Sequence, residues 1–355
     1  MALGSGGGGD SATGSRPPTL EDVAQLAGVS RATVSRVING IRNVNPELHK
    51  VVWNAVGVTG YVPNRAARSL VTGRTGTVAL VVSDSVRHDD DPFMSRFFAD
   101  PFFGRVVGGL LSVLRPGGVQ LALQFVGDRE SRERLIGDLR QGRADGAIVL
   151  SLHPQDGLPG MLVNAGIAAV LIGRPATPAP ISYVDLANDA GAALAADHLY
   201  AACGRRRIAM ISGPAEVPAS QDRIAGFRRA LARHGQPFVP CVEGNFTYDS
   251  GERAMRHLLS ERAVDGLFVA NDLMAQGALM VLRDANLRVP QDVAVVGFDD
   301  SSAALAARPT LTTIRHPLED MAAESARMLL ARVADPATDP SSVIFEPTLV
   351  VRQSA

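Results

Sequence analysis

Near the start of the chain, apolar residues recur at helical spacing. Leu20, Val23, Ala24 and Ala27 share one face of a first predicted helix, and Val34, Val37 and Ile38 share one face of a second. Thr19 is placed to cap the first helix, with Asp22 three residues on completing a partial capping box. Gly28 supplies the left-handed stop, Val29 spans a tight turn, and Ser30 caps the second helix. A third helix is predicted after Asn45 as cap and Pro46 at the first helical position, with Leu48, Val52, Ala55 and Val56 as its buried face. A fourth short segment opens after Pro63, with Asn64 as its cap. At seven or eight residues it is too short to hold itself helical in isolation.

From Thr77 the rhythm changes. Apolar runs at 77–83, 119–126, 146–151, 168–172, 207–212, 265–270 and 292–298 alternate with amphipathic stretches such as 188–202, 219–234, 272–285 and 317–334. Continuous Val/Ile/Leu runs separated by helices predict parallel strands covered on both faces. Such sheets bind ligands in the crevice beyond the carboxyl ends of their strands. The pattern is too long for one sheet, so two similar halves with a cleft between them are expected. The fold class is α/β, with doubly wound parallel sheets behind a small helical head.

Composition adds an asymmetry. Residues 17–76 carry seven basic side chains (Arg31, Arg36, Arg42, Lys50, Arg65, Arg68 and Arg74) against three acidic ones (Glu21, Asp22 and Glu47), a surplus of four. The tail balances Arg16 against Asp10, so the chain's net charge of −1 leaves an excess of five negative charges on 77–355. A basic head on an acidic body points to a local polyanion contact. No apolar run reaches the ~18–20 residues needed to cross a bilayer. The Gly- and Ser-rich residues 1–16 lack the apolar core of a secretory signal and read as a disordered tail. Cys203 and Cys241 form no ligand-like pattern and are expected to be reduced, in a cytoplasmic protein that is nucleoid-associated when bound to DNA.

The helix, glycine turn and second helix form a helix-turn-helix by pattern, although an ordinary helical hairpin shares it. In a helix-turn-helix the second helix enters the major groove. Its outer face then offers Arg31 and Arg36 to guanine or phosphate and Ser30, Thr33 and Ser35 to phosphates, while Ala32 permits close approach. The run Arg87–Asp91, with one His among acids, reads as a solvated loop rather than a metal site. No zinc-protease, paired Cys-x-x-Cys, nucleophile-elbow or phosphate-loop motif occurs, so no enzyme, metal or cofactor is expected.

The residue order in 19–40, followed by "GYVPNRAARSL" at 60–70, resembles the DNA-binding head and hinge of the LacI/GalR (lactose-repressor) family of bacterial regulators. The resemblance runs over essentially all of 19–352 and includes "VDG" at 264–266, "VAND" at 269–272 and "VVGFDDS" at 295–301. Within the family it looks most like the branch responsive to cellobiose and cello-oligosaccharides, on "PNRAARSLVTGRT", "LSLHPQDGLP" at 150–159 and "NFTYDSGERAM" at 245–255. The resemblance implies a disordered tail at 1–16, a helix-turn-helix domain at 17–62, a hinge helix and linker at 63–76, and a two-lobed, periplasmic-binding-protein-like core at 77–355. The N-lobe would take about 77–184 and 316–344, and the C-lobe about 185–315 and 345–355.

It also implies roles for residues. Ser30, Arg31, Ala32, Thr33, Ser35 and Arg36 sit where the family meets operator, with Asn39 and Asn43 beside the flanking backbone or bases. Asn64, Ala67, Arg68 and Leu70 match the hinge, with Leu70 as an apolar wedge between central base pairs. Arg223, Asn271 and Asp299 match positions that hydrogen-bond sugar hydroxyls. Phe246 matches an aromatic platform, and Phe102 with Phe103 is a candidate for the opposite wall. His49, Gly57, Thr59 and Ala187 depart from the family pattern without removing a switch residue.

The function implied is a homodimeric repressor of sugar uptake or catabolism genes. It would bind a near-palindromic double-stranded operator and be released by a small sugar. The competing expectations are a sugar-binding protein without DNA function and a regulator that uses the sugar as corepressor. No leucine heptads follow Val351, which points away from a tetramer held by such a tail.

Overall fold

The computed structural model describes residues 16–38, 45–62, 73–83, 100–151 and 156–355. The chain divides into two compact units with the boundary between Thr75 and Gly76. The head contains α1 (Leu20–Ala27), α2 (Arg31–Ile38) and α3 (Pro46–Thr59). The Thr19 hydroxyl accepts from the Asp22 amide, and the Asp22 carboxylate accepts the Thr19 amide at 2.7 Å, closing a capping box. Gly28 ends α1 at φ +65. Val23, Val34, Val37, Val52 and Ala55 fill the head's core. Leu48, expected in that core, is instead 37% exposed: it lies in the first turn of α3, one turn before the buried stripe of Val52, Ala55 and Val56. The helix runs through Gly57, and the Thr59 hydroxyl donates back to the Ala55 carbonyl at 2.8 Å.

The second unit holds two six-stranded sheets. The first runs β2 (Gln120–Val126), β1 (Thr77–Ser83), β3 (Gly146–Ser151), β4 (Ala169–Ile172), β5 (Ser182–Leu186), β11 (Ser342–Phe345), all parallel. The second repeats this order with β7 (Cys241–Glu243), β6 (Ile208–Ser212), β8 (Gly266–Val269), β9 (Ala294–Asp299), β10 (Thr312–Arg315) and an antiparallel β12 (Thr348–Val350).

Alternation along β1 shows why both faces need helices. Val78, Leu80 and Val82 pack under α4 (Pro101–Leu114) and α12 (Leu318–Ala334). Ala79 and Val81 pack on the other face, with α5 (Arg129–Arg140) and α6 (Leu158–Asn164). The edge strand β2 departs from the expected double coverage, with Leu123 40% exposed, because an edge has a neighbour on one side only. In the C-lobe, α7 (Asn188–Asp197) ends before 202 and a π-helical turn carries His198–Ala202. The remaining C-lobe helices are α8 (Pro218–Arg233), α9 (Tyr248–Glu261), α10 (Asp272–Asp284) and the short α11 (Ser302–Ala306). The chain crosses between the sheets three times: between Leu186 and Asn188, between Arg315 and Leu318, and between Phe345 and Thr348.

One buried carboxyl ties three C-lobe elements together. Asp272 is fully buried at the start of α10; it accepts from the Ser301 amide at 2.8 Å, the Ser301 hydroxyl at 3.0 Å and the Thr313 hydroxyl at 2.6 Å. Gly297 makes room for it, since a Cβ there would lie 2.5 Å from its Oδ1. Burial and the charge of Asp299 push the Asp272 pKa from 3.8 up to about 8, against its three donors. The folded protein thus holds a proton that the unfolded chain releases at lower pH. The stability this favours is complete below about pH 4, is lost as pH rises, and levels off above about pH 8. Melting temperatures measured from pH 4 to 9 should fall more steeply for the wild type than for Asp272→Asn, with the difference confined to that window.

Candidate effector cleft and DNA-reading helix

In the head, α2 buries Val34, Val37 and Ile38 and turns Arg31, Ala32 and Arg36 outward. Ser30 caps the helix through its hydroxyl, which accepts the Thr33 amide at 3.2 Å and lies 2.9 Å from the Thr33 hydroxyl. Arg31 pairs with Glu21 of α1 at 3.1 Å, and Arg36 folds back to the Ala32 carbonyl at 3.4 Å. Both contacts are on the surface and contribute little stability, so either guanidinium is available to a phosphate or base edge. Ser35 is half-buried on the same helix. Asn39, Asn43, Asn64, Ala67, Arg68 and Leu70 lie outside the described residues.

In the second unit, the carboxyl ends of the two sheets face each other. Phe102, from the first turn of α4, lines a narrow void together with Asn271 and Asp299, which follow or end β8 and β9. Asp100, Pro101, Arg105, Leu273 and Ser301 complete its described walls. Asn271 caps α10, its Oδ1 accepting the Met274 amide at 2.9 Å, while its Nδ2 donates to the Phe246 carbonyl at 3.0 Å. Phe246 sits at φ +67 with its ring against Gly213, where a Cβ would come within 2.1 Å of it. Phe246 therefore stands beside this void rather than on its wall.

Arg223 lies deeper still. Its Nε donates to Asn188 at 2.9 Å, its Nη1 reaches the Ala270 carbonyl, and its guanidinium lies 3.6 Å over the Phe298 ring. Burial disfavours its charge, and Asp299 and Asp185 offset that cost. This arginine underpins the strand ends that carry Asn271 and Asp299.

Three residues join the site that the sequence reading did not name. His316, in the second crossover, is buried with Nδ1 3.3 Å from Asp299 Oδ1. Burial pulls its pKa below the ordinary value, outweighing Asp299. A neutral imidazole facing a carboxylate carries its proton on Nδ1, which makes Nε2 an acceptor. Among the described residues Nε2 has no partner, and neither does the buried Ser220 hydroxyl beside Gly213. Arg105 crosses from α4 to the C-lobe. The one signal in the sequence was its i+3 spacing from Phe102, which puts both on one helix face. On another side of the cleft, Arg174 after β4 forks onto Asp222 of α8 at 2.6–3.1 Å and lies 3.9 Å from Asp185. Donors, acceptors and an aromatic face in one cleft suit a polyhydroxylated ligand.

Comparison with known proteins agrees with both units. Residues 19–64 match the profile of bacterial regulatory proteins of the lacI family, and residues 196–355 match the periplasmic binding protein-like domain. The HTH-type transcriptional regulator CelR of Thermobifida fusca is 45% identical over 344 residues, covering 96% of this chain and 98% of CelR. The HTH-type transcriptional repressor PurR of Aliivibrio fischeri (strain MJ11) is 31% identical, covering 95% and 98%. Among solved structures, a complex of the transcriptional regulator CelR with cellobiose matches with TM-score 0.73 and 43% identity, over 95% of this chain and 100% of that one. The lac repressor dimer bound to operator and the anti-inducer ONPF matches with TM-score 0.76 and 27% identity, over 96% and 99%. With a lacI-type head at 19–64 and a relative 45% identical over nearly its whole length, the chain belongs to the lacI family of bacterial transcriptional regulators.

Proposed function

We propose that this regulator is a homodimeric repressor of sugar uptake or catabolism genes, released from a near-palindromic operator by cellobiose or a short cello-oligosaccharide. It acts in the cytoplasm, on the nucleoid when operator-bound. The observation that carries the reading is the cleft wall: Phe102 from one lobe opposes Asn271 and Asp299 from the other. A sugar ring needs this pairing of an apolar platform with fixed polar groups. The relative solved with cellobiose supports the choice of sugar.

In this reading α2 of each protomer reads one half-site through Ser30, Arg31, Ala32, Thr33, Ser35 and Arg36, with Asn39 and Asn43 beside it. Asn64, Ala67, Arg68 and Leu70 form the hinge, and Leu70 wedges the central base step. Unstacking that step costs a few kcal/mol. A coupling of about 1–3 kcal/mol from the sugar cleft is then enough to tip a marginal element.

Calorimetry with glucose, maltose, cellobiose and cellotriose should show the cello-oligosaccharides binding with the highest affinity, and cellobiose should release the protein from operator in a gel shift. Tighter operator binding with sugar would make the sugar a corepressor, and no operator binding at low salt by folded protein would leave a sugar-binding protein. Leu70→Ala should weaken specific operator binding far more than non-specific binding, and equal losses would argue against the wedge.

A further inference from the structure

We infer that Arg105 is a positioning residue for effector binding: braced by Glu319, it reaches across the cleft and fixes the backbone that presents Asp299. This rests on the reading of the cleft as the effector site.

The argument begins with backbone conformation. Asp299 has φ +110 and Asp300 has φ +52. Side chains other than glycine rarely hold such positive φ values, and they persist only where the surroundings over-determine them. The side chains of this turn are tied within the C-lobe. Asp299 faces His316, and the Asp300 carboxylate is shared by Arg315 at 2.8 Å and Arg352. The described partners of the Asp299 carbonyl are the His316 amide, at a long 3.4 Å, and Arg105 Nη1, at 2.9 Å. The shorter of these bonds comes from the other lobe.

Arg105 is built for the reach. Its Nε and Nη2 fork onto the two oxygens of Glu319, each at 2.7 Å, and Nη2 also donates to the His316 carbonyl at 2.8 Å. Glu319 stands in the first turn of α12, and α12 packs directly on α4 at Gly109, where a Cβ would lie 2.3 Å from the Glu319 carbonyl. That close approach fixes the brace relative to the arginine stem. The planar guanidinium then has one orientation, which aims Nη1 at the Asp299 carbonyl. A lysine has a point charge in place of the fork and cannot satisfy four acceptor contacts in one plane.

The consequence is a division of labour. The N-lobe sets the geometry of an acceptor that belongs to the C-lobe, so Asp299 is ready for a sugar hydroxyl only while the two lobes are in register. His316 is drawn into the same arrangement, because Arg105 holds its carbonyl and Asp299 faces its Nδ1.

Two measurements on the full-length protein test this. In sugar-free protein, amide exchange around Asp300, Ser301 and His316 should speed up in Arg105→Met relative to wild type. By calorimetry, Arg105→Met should bind cellobiose about tenfold or more weakly, the scale of losing hydrogen bonds from a charged donor. Arg105→Lys should recover only part of the affinity. Should Arg105→Met fail to fold, Glu319→Gln leaves the guanidinium in place but poorly braced and should change both readings in the same direction. Unchanged exchange at those amides, or a cellobiose affinity within twofold of wild type, would overturn the role of Arg105. If wild type binds none of the sugars, the effector reading fails, and the exchange comparison still decides whether Arg105 fixes the Asp299 turn.

Discussion

The architecture depends on parallel strands being buried on both faces. A strand such as β1, with Val78, Leu80 and Val82 under one pair of helices and Ala79 and Val81 under another, has no wall to give to polar chemistry. Polar side chains are therefore pushed to the strand ends, where the hydrogen-bonded ladder stops and helix N-termini begin. Asn271 and Asp299 sit there for that reason. Asn271 is at once the cap of α10 and a wall of the cleft, so the group that would meet a ligand is held by the folding of the helix behind it. Preorganisation of this kind lowers the entropy that binding must overcome.

The cleft concentrates carboxyls, and the structure answers each in a different way. Asp272 is driven toward neutrality by burial and by Asp299. Asp300 feels burial too, but Arg352 and Arg315 outweigh it and hold its pKa below the usual range. Asp222 is forked by Arg174 from the other lobe. Asp299 is left to face a neutral imidazole and the cleft. One carboxylate thus faces the cleft while its neighbours are driven toward neutrality or paired. Arg223, set beneath them and stacked on Phe298, supplies a fixed positive charge that no solvent screens. An arginine this enclosed is part of the scaffold before it is a contact.

Much of this was readable in the sequence because it follows from periodicity. Seven strands with continuous apolar runs were legible, as were the capping residues Thr19 and Asn45 and the stop at Gly28. The missed strands β5, β7, β10, β11 and β12 are only three to five residues long, and each has its short apolar stretch broken or flanked by polar residues. A run that short has no period to detect, and its pairing is decided by the partner strand. Leu48 shows the same limit in the head: its spacing fits the buried stripe, yet coverage depends on where α1 and α2 stop. In the cleft, Phe102, Asn271 and Asp299 were found through motifs and do meet. His316 left no signal and Arg105 only its spacing from Phe102, because their significance lies in contacts with residues 17 and 194 positions away.

The chain's continuity sets how a movement at the cleft can reach the first residue of the second unit. The boundary between the two units falls at Gly76, whose amide donates to Asp145 at 2.8 Å, and β1 begins at the next residue. From Thr77 to Ser83 the strand runs without a break toward the cleft end of its sheet. At about 3.3 Å per residue that is a span of roughly 20 Å. Every residue of β1 after Thr77 is buried, in an interior packed too densely to absorb a displacement by compression. A rotation of the lobe about the crossovers must therefore move Gly76 as a rigid end, not dissipate along the way. A stiff strand that reaches from the cleft to the first residue of its unit needs no relay of side chains to carry such a displacement.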